Sequence, residues 1–211
     1  MGLGAKVRSK LGRFEIPAIN IYRGAFISVE HFASTLAGVI TAPTLVGEIG
    51  TGDGSIINAL HRRWPATRFV GVDPAPTAGR LYDGDPEHAR FVVATSTELL
   101  ADYTERFDVT LLVDVLHHVH DDSRLSVLQD AAKLTRPGGV IALKEWELNR
   151  GAANFLAYAA DRFVSGDTSV RFMALPEIEG LIESALPGWE IVTRSRILPR
   201  RNNALWVLRK P

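Results

Sequence analysis

The sequence predicts an α/β fold built on a doubly wound, mostly parallel sheet. From residue 44 onward, short apolar runs alternate with segments of helical periodicity, which is typical of parallel strands joined by helical crossovers. The apolar runs lack alternating polar residues, as expected for strands covered on both faces. A glycine-rich run, Glu48 to Gly54, joins the first apolar run to the first helical segment. We therefore expect a strand, a glycine loop and a helix to open the sheet.

The composition is that of an ordinary globular protein. Apolar residues make up 46% and charged residues 23% of the 211 residues, so the chain can bury a core and we expect a single domain. The absence of cysteine excludes disulfides, thiolate metal sites and cysteine nucleophiles. A formal net charge of zero argues against a nucleic-acid partner held mainly by phosphate contacts. Without a membrane-spanning apolar run or a secretory signal, the expected location is the cytoplasm, with no membrane partner.

The elements follow from apolar runs and their breakers. Residues 1–43 lack a strand-like run, so we expect a helical cap with amphipathic turns at Ile19 to Phe26 and Val29 to Val39. The predicted core strands are Leu45 to Ile49, Phe69 to Val72, Phe91 to Val93, Val109 to Val113 and Val140 to Leu143. The predicted helices are Ser55 to Arg63, Asp122 to Leu134 (stopped by Pro137-Gly138-Gly139), Ala152 to Phe163 and Pro176 to Ala185. Residues 74–86 are rich in proline and glycine, which predicts a long loop with at most a short helix.

The end of the chain breaks the alternation of strands and helices. Trp189 to Arg194 and Ala204 to Leu208 are strand-like runs with no helical segment between them. If they pair, they must be antiparallel neighbours.

The glycine run indicates the kind of ligand that it can bind. Glycines at positions 50, 52 and 54 allow positive φ and remove the β-carbons, so a ligand can lie against main-chain N–H groups. Glu48 lies two residues before the first of them. A carboxylate beside N–H donors at the start of a helix favours a ligand with a positive amine over a bare pyrophosphate.

Four segments resemble, in order and spacing, motifs of the class I S-adenosylmethionine-dependent methyltransferase superfamily. They are Glu48 to Gly54, Val70 to Asp73, Phe107 to Val119 with its Leu116-His117-His118 sequence, and Arg136 to Val140. The resemblance covers roughly residues 44 to 209. It implies a Rossmann-like seven-stranded sheet of order 3-2-1-4-5-7-6 with an antiparallel last strand, plus the N-terminal helical cap. It also implies a cofactor-binding core at 44–148, a substrate-side helical insertion at 149–188 and a C-terminal hairpin at 189–211.

The resemblance implies S-adenosylmethionine as cofactor and S-adenosylhomocysteine as product. The implied cofactor residues are Glu48, Gly50, Thr51, Gly52, Asp73, Pro74, Thr95, Ser96, Asp114 and Val115. Glu48 would anchor the ammonium directly or through water, and Asp73 would accept the ribose hydroxyls, unless it only forms a turn before Pro74. Thr95 and Ser96 stand where the family often has an acid for the adenine amino group, so a hydroxyl or a backbone carbonyl must replace it here.

His117, His118 and Glu145 are the candidate catalytic residues. One histidine would act as a general base, although packing beside the cofactor also explains them. His117, His118 and His120 followed by Asp121 and Asp122 can also be interpreted as a metal site. The histidines are too closely bunched for an obvious chelating geometry, and Asp121 or Asp122 is more simply a helix cap, so we predict no metal.

The acceptor side of the site is less constrained. Tyr22, Lys144, Asn154 and Tyr158 are the candidate substrate residues, with ion pairing as the alternative for Lys144. The expected reaction is methyl transfer to a small molecule by in-line displacement, with a hydroxyl oxygen favoured over nitrogen or carbon. The alternatives are a non-catalytic cofactor-binding scaffold and an NAD(P)-dependent oxidoreductase, whose usual Gly-x-Gly-x-x-Gly run differs from this loop. The expected assembly is a monomer or a homodimer.

Overall fold

The computed structural model describes residues 28–148, 170–198 and 202–211. Within these ranges the strands are β1 Leu45–Ile49, β2 Arg68–Asp73, β3 Ala89–Val93, β4 Phe107–Val113, β5 Thr135–Trp146, β6 Glu190–Arg196 and β7 Asn203–Arg209. The helices are α1 Val29–Val39, α2 Ser55–Arg63, α3 Ser96–Tyr103, α4 Asp121–Leu134 and α5 Leu175–Ala185, with a 3-10 turn at Leu116–His118.

The seven strands form one sheet in the order β3-β2-β1-β4-β5-β7-β6. Strands β1 to β5 pair in parallel, whereas β7 is antiparallel to both β5 and β6. The predicted sheet order and the predicted C-terminal hairpin are confirmed. Because β1, β4 and β5 are parallel neighbours, the loops that follow them meet at one edge of the sheet.

Helices cover both faces of the sheet. On one face, α1 and α2 bury Leu36 and Leu60 against the sheet, and on the other face α3, α4 and α5 bury Leu99, Leu128 and Ile178. Each such side chain contributes roughly 1.5–3 kcal/mol by leaving water. This double covering explains why the core strands have unbroken apolar runs.

One predicted boundary was wrong. The predicted helix Asp122 to Leu134 matches α4, but β5 was predicted to begin at Val140 and begins at Thr135, directly after the helix. The Pro137-Gly138-Gly139 sequence, which was expected to stop the helix, lies within β5. The Thr135 hydroxyl donates to the Ala131 carbonyl (2.8 Å) and lies 2.7 Å from the Thr110 hydroxyl, which ties the end of the helix to β4.

Helix α3 was not predicted at all, although its start has a readable signal. Thr95 and Glu98 form a capping box, in which the Thr95 hydroxyl accepts from the Glu98 N–H and the Glu98 carboxylate accepts from the Thr95 N–H. The other predicted helices in the described ranges are confirmed, and α1 matches the predicted Val29 to Val39. The proline- and glycine-rich stretch 74–86 is fully described and contains no helix.

Two predicted helical segments, Ile19 to Phe26 and Ala152 to Phe163, lie outside the described residues. None of the helices in the described ranges is long and apolar enough to cross a bilayer.

Candidate active site

The glycine loop leaves β1 and is held against β2. The N–H groups of Gly50 and Thr51 both donate to the Val72 carbonyl, at 2.8 and 3.1 Å. Gly50, Gly52 and Gly54 all adopt positive φ, at +70°, +53° and +85°. The backbone reversal at each position therefore favours glycine.

The three glycines differ in what surrounds them. A β-carbon on Gly50 would lie 2.5 Å from Val115 Cγ2, and one on Gly54 would lie 3.1 Å from Gly79 Cα. At Gly52, no atom of the described chain comes within 4 Å of that position. Gly50 and Gly54 thus allow close packing within the protein, whereas the main chain at Gly52 borders open space where a ligand can approach it.

Glu48 lies beneath this loop. Its side chain is buried, and Oε2 accepts a hydrogen bond of 2.6 Å from the Thr51 hydroxyl. A buried carboxylate here gives the underside of the loop a negative charge and fixes Thr51.

Asp73 lies at the end of β2 and contacts the loop from the side. Its Oδ2 accepts from the Gly52 N–H at 2.9 Å, and its Oδ1 accepts from the Ala75 N–H at 2.8 Å. The bond to Ala75 forms the turn around Pro74, while the bond to Gly52 fixes the glycine that borders open space. A carboxylate oxygen has two lone pairs, so each oxygen retains capacity for another donor.

Thr95 and Ser96 lie at the start of α3, after β3. The Thr95 hydroxyl donates to the Glu98 carboxylate at 2.8 Å, and the Ser96 hydroxyl donates to Asp130 at 3.0 Å. Both hydroxyls are therefore engaged within the protein. The Thr95 oxygen also accepts from the Glu98 N–H, and Ser96 is buried, so of the two replacements that the resemblance allows for an adenine contact a backbone group is the more accessible.

A buried ion pair lies where β4 and β5 end. Lys144 Nζ lies 2.7 and 2.6 Å from the two carboxylate oxygens of Asp114, and its side chain is 0% exposed. Asp114 is one of two described non-glycine residues with positive φ, at +57°. This left-handed residue turns the chain after β4 and begins the segment that leads to the two histidines.

The residue after Lys144 faces His117. Glu145 Oε2 lies 2.8 Å from His117 Nδ1, and Glu145 Oε1 accepts from the N–H groups of Val115 (3.0 Å) and Leu116 (2.6 Å). Both side chains are buried. Burial by itself opposes ionisation of Glu145, but the charge and hydrogen bond of His117, the Leu116 N–H and the Lys144 charge hold its pKa below the ordinary value.

Residues 170–173 pack over His117 from the other side. The Phe172 ring lies 4.9 Å from the His117 ring, between centroids, and the Arg171 N–H donates to the His117 carbonyl at 2.9 Å. The His118 ring lies 4.3 Å from that of His117. Sequence reasoning missed Phe172, because only the fold brings this segment to the 3-10 turn.

The side chains that could hold a metal ion in the structure differ from the histidine cluster considered from the sequence. Helix α4 begins at Asp121, so His120 is the residue before it and neither Asp121 nor Asp122 is the cap, which corrects that interpretation. Asp114, His117 and Glu145 instead offer donor atoms within 4.8 Å of one another, a span that a metal ion can bridge. In this structure Lys144 provides a cation to Asp114, and His117 and two N–H groups bind Glu145.

Lys144 is the one candidate substrate residue in the described ranges. Tyr22, Asn154 and Tyr158 lie outside them.

Comparison with known proteins identifies the family. A family model described as a methyltransferase domain matches residues 48–141, from Glu48 beneath the glycine loop into β5. Residues 48–141 therefore belong to a methyltransferase domain, and together with the curated relatives and the shared fold they support a class I S-adenosylmethionine-dependent methyltransferase. The motifs that resemble this superfamily thus lie on the fold that the resemblance implied.

Curated relatives agree with this assignment, and solved structures share the fold. A ubiquinone biosynthesis O-methyltransferase of Azorhizobium caulinodans is 31% identical over 161 residues, which are 72% of this chain and 61% of the relative. The chain spans about three fifths of the length of that relative. A 1,6-didemethyltoxoflavin-N1-methyltransferase of Burkholderia thailandensis has a similar fold, with a TM-score of 0.68, 22% identity and coverage of 98% of this chain and 88% of that one. The mitomycin 7-O-methyltransferase MmcR gives a TM-score of 0.71 at 17% identity, over 96% of this chain and 57% of that one.

Proposed function

We propose that this protein binds S-adenosylmethionine and transfers its methyl group to a hydroxyl oxygen of a small molecule. The observation that carries the proposal is the His117–Glu145 pair. His117 lies in the 3-10 turn that follows Val115, and Val115 packs against Gly50 of the glycine loop. A base is needed when the acceptor is a hydroxyl, because a neutral hydroxyl is a weak nucleophile. The O-methyltransferase relative supports the choice of oxygen, whereas the toxoflavin enzyme shows that the same fold also occurs in an N-methyltransferase.

The residues of the glycine loop fit the cofactor. Gly52 offers main chain beside open space, Asp73 offers acceptors for ribose hydroxyls, and Glu48 provides negative charge for the ammonium, through Thr51 or a water because it is buried. The adenine would meet backbone groups near Thr95 and Ser96. When bound, S-adenosylmethionine supplies the methyl group: a carbon–oxygen bond forms as the carbon–sulfur bond breaks, which leaves S-adenosylhomocysteine and the acceptor's proton.

Two residues of the chain, His117 and Glu145, would take up and stabilise that proton. We assign His117 Nε2 as the atom that takes it, while Glu145 accepts the hydrogen bond from Nδ1 and stabilises the imidazolium. Two N–H groups fix the Glu145 carboxylate, so the ring orientation is set before the acceptor binds. A positioned base of this kind contributes typically about 10²–10⁴-fold in rate.

Calorimetry with S-adenosylhomocysteine tests cofactor binding. We expect Gly52→Ala to weaken binding at least tenfold, because the residue adopts positive φ and its new methyl would enter the open space. Gly180→Ala is the matched control, since Gly180 lies within α5 with no described atom near its added methyl. Equal affinities of the two variants, or tight binding of NAD in place of S-adenosylhomocysteine, would contradict the proposal.

Turnover is tested with radiolabelled S-adenosylmethionine and a panel of small phenols, alcohols and amines. His117→Asn should lower the rate of hydroxyl methylation at least a hundredfold, whereas His120→Asn, at an exposed position just before α4, should leave it unchanged. Label transferred to amines alone would overturn oxygen as the acceptor. Cofactor binding without label transfer to the panel or to metabolite extracts would favour the non-catalytic scaffold.

A further inference from the structure

We infer that Arg124 is a positioning residue that holds the His117–Glu145 pair by binding three main-chain carbonyl groups around it. The inference rests on the proposed function, because it assigns Arg124 a role in the same site. Arg124 lies on the first turn of α4, and its side chain is 3% exposed. A buried guanidinium needs hydrogen-bond acceptors, so its partners show what it does.

Two of the carbonyls belong to the turn that carries His117. Arg124 Nε donates to the Leu116 carbonyl at 2.8 Å and to the Val119 carbonyl at 3.1 Å. Leu116 directly precedes His117, and its N–H donates to Glu145. One nitrogen of Arg124 thus fixes both ends of the 3-10 turn from beneath.

The third carbonyl belongs to the segment that covers His117. Arg124 Nη2 donates to the Arg171 carbonyl at 2.9 Å, while the Arg171 N–H donates to the His117 carbonyl. Arg171 directly precedes Phe172, whose ring contacts the His117 ring. Arg124 therefore joins the turn below His117 to the aromatic side chain against it.

The charge of Arg124 is balanced at the rim of the site. Its Nη1 lies 2.9 Å from Asp121 Oδ1, an ion pair rather than an aligned hydrogen bond, since among the described residues Nη1 has no partner of good geometry. Asp121 also pairs with the Arg171 guanidinium at 2.8 Å. A lysine could not replace Arg124, because a single ammonium cannot reach acceptors that the planar guanidinium meets from two of its nitrogens.

The test observes the pair itself, without need of an acceptor. In protein labelled with ¹⁵N-histidine, the His117 Nδ1–H proton is assigned by its loss in His117→Asn and followed by NMR. A proton held against a buried carboxylate exchanges slowly with water, so we expect a sharp signal in the wild type. Arg124→Lys and Arg124→Met should broaden it or speed its exchange at least tenfold. Arg136→Met is the matched control, because Arg136 pairs with Asp108 at the opposite end of β5.

The outcomes separate this inference from the proposed function. An unchanged His117 signal in both Arg124 variants would overturn the positioning role and leave the pair intact. A wild type without the signal would overturn the pair and the proposed function with it. Affinity for S-adenosylhomocysteine should stay within threefold of wild type in Arg124→Lys. A larger loss, or failure of both variants to fold by circular dichroism, would assign Arg124 to general stability and overturn the inference.

Discussion

At the scale of single residues, the ion pair of Lys144 and Asp114 shows how this sheet edge tolerates charge. Lys144 is fully buried, and Asp114 is its neutralising partner. Removing one partner of a buried pair leaves an uncompensated charge, which costs more than the pair itself contributes. The pair also fixes Asp114 in its left-handed conformation, from which the His117 turn begins.

We predict that replacing Asp114 alone and replacing Lys144 alone lower the free energy of unfolding by unequal amounts. Asp114→Asn should lower the free energy of unfolding by about 3 kcal/mol, because the Lys144 ammonium then stays buried without its hydrogen-bonded carboxylate. Lys144→Met should cost less, because the Asp114 side chain is 17% exposed and water can reach it. Urea unfolding of both single variants and the double variant measures this, and the double variant should be more stable than Asp114→Asn. Additive losses would show that the charges are not coupled.

The contacts between pairs of site residues could not be predicted from the sequence. His117 and Glu145 were both predicted as catalytic candidates, but their contact was not, because it joins residues far apart in sequence across two neighbouring strand ends. Strand alternation sends Lys144 and Glu145 to opposite faces of the sheet, so the ion pair that was the alternative for Lys144 forms with Asp114 and not with its neighbour in sequence. Arg124 gave no signal at all, since a buried arginine on a helix looks in sequence like a solvated one.

At the scale of elements, sequence patterns located the strands well and the helix between β3 and β4 poorly. The run Leu45 to Ile49 matches β1, whose last four residues are all buried, with Glu48 as the one charged residue among them. Helix α3 has only two turns and a weak apolar stripe, so its periodicity gave little signal. Its capping box, Thr95 to Glu98, was the one local signature available.

That capping box gives the second prediction. Thr95→Ala should lower the free energy of unfolding by about 1 kcal/mol, because the Glu98 N–H loses its acceptor. If the adenine meets backbone groups here, affinity for S-adenosylhomocysteine should change less than threefold. Chemical unfolding and calorimetry on the same preparation give both values. A tenfold loss of affinity would instead assign the Thr95 hydroxyl to the ligand.

At the scale of the whole molecule, several carboxylates with lowered pKa couple folding to pH. Asp108 is an example outside the site: burial opposes its ionisation, but the N–H groups of Leu45 and Thr44 and the Arg136 guanidinium bring its pKa below the ordinary value. Asp108 thereby joins the start of β1 to β4 and β5. A group whose pKa is lower in the folded state stabilises the fold above its unfolded pKa, and that contribution is lost as the pH falls through the folded value.

The last prediction concerns the contribution of Glu145 to the loss of stability at low pH. Its pKa is lowered from 4.5, so its contribution is complete at neutral pH and declines as the pH falls below about 4.5. Glu145→Gln keeps the shape and the acceptor for the two N–H groups but removes the titration. We therefore expect Glu145→Gln to be less stable than wild type at pH 7, yet to lose less unfolding free energy between about pH 6 and about pH 3. Exposed Glu183→Gln on α5 is the control and should lose as much as wild type. Urea unfolding across the pH series measures the losses, and equal losses in all three proteins would mean that the His117–Glu145 pair does not hold a charged carboxylate in the folded state.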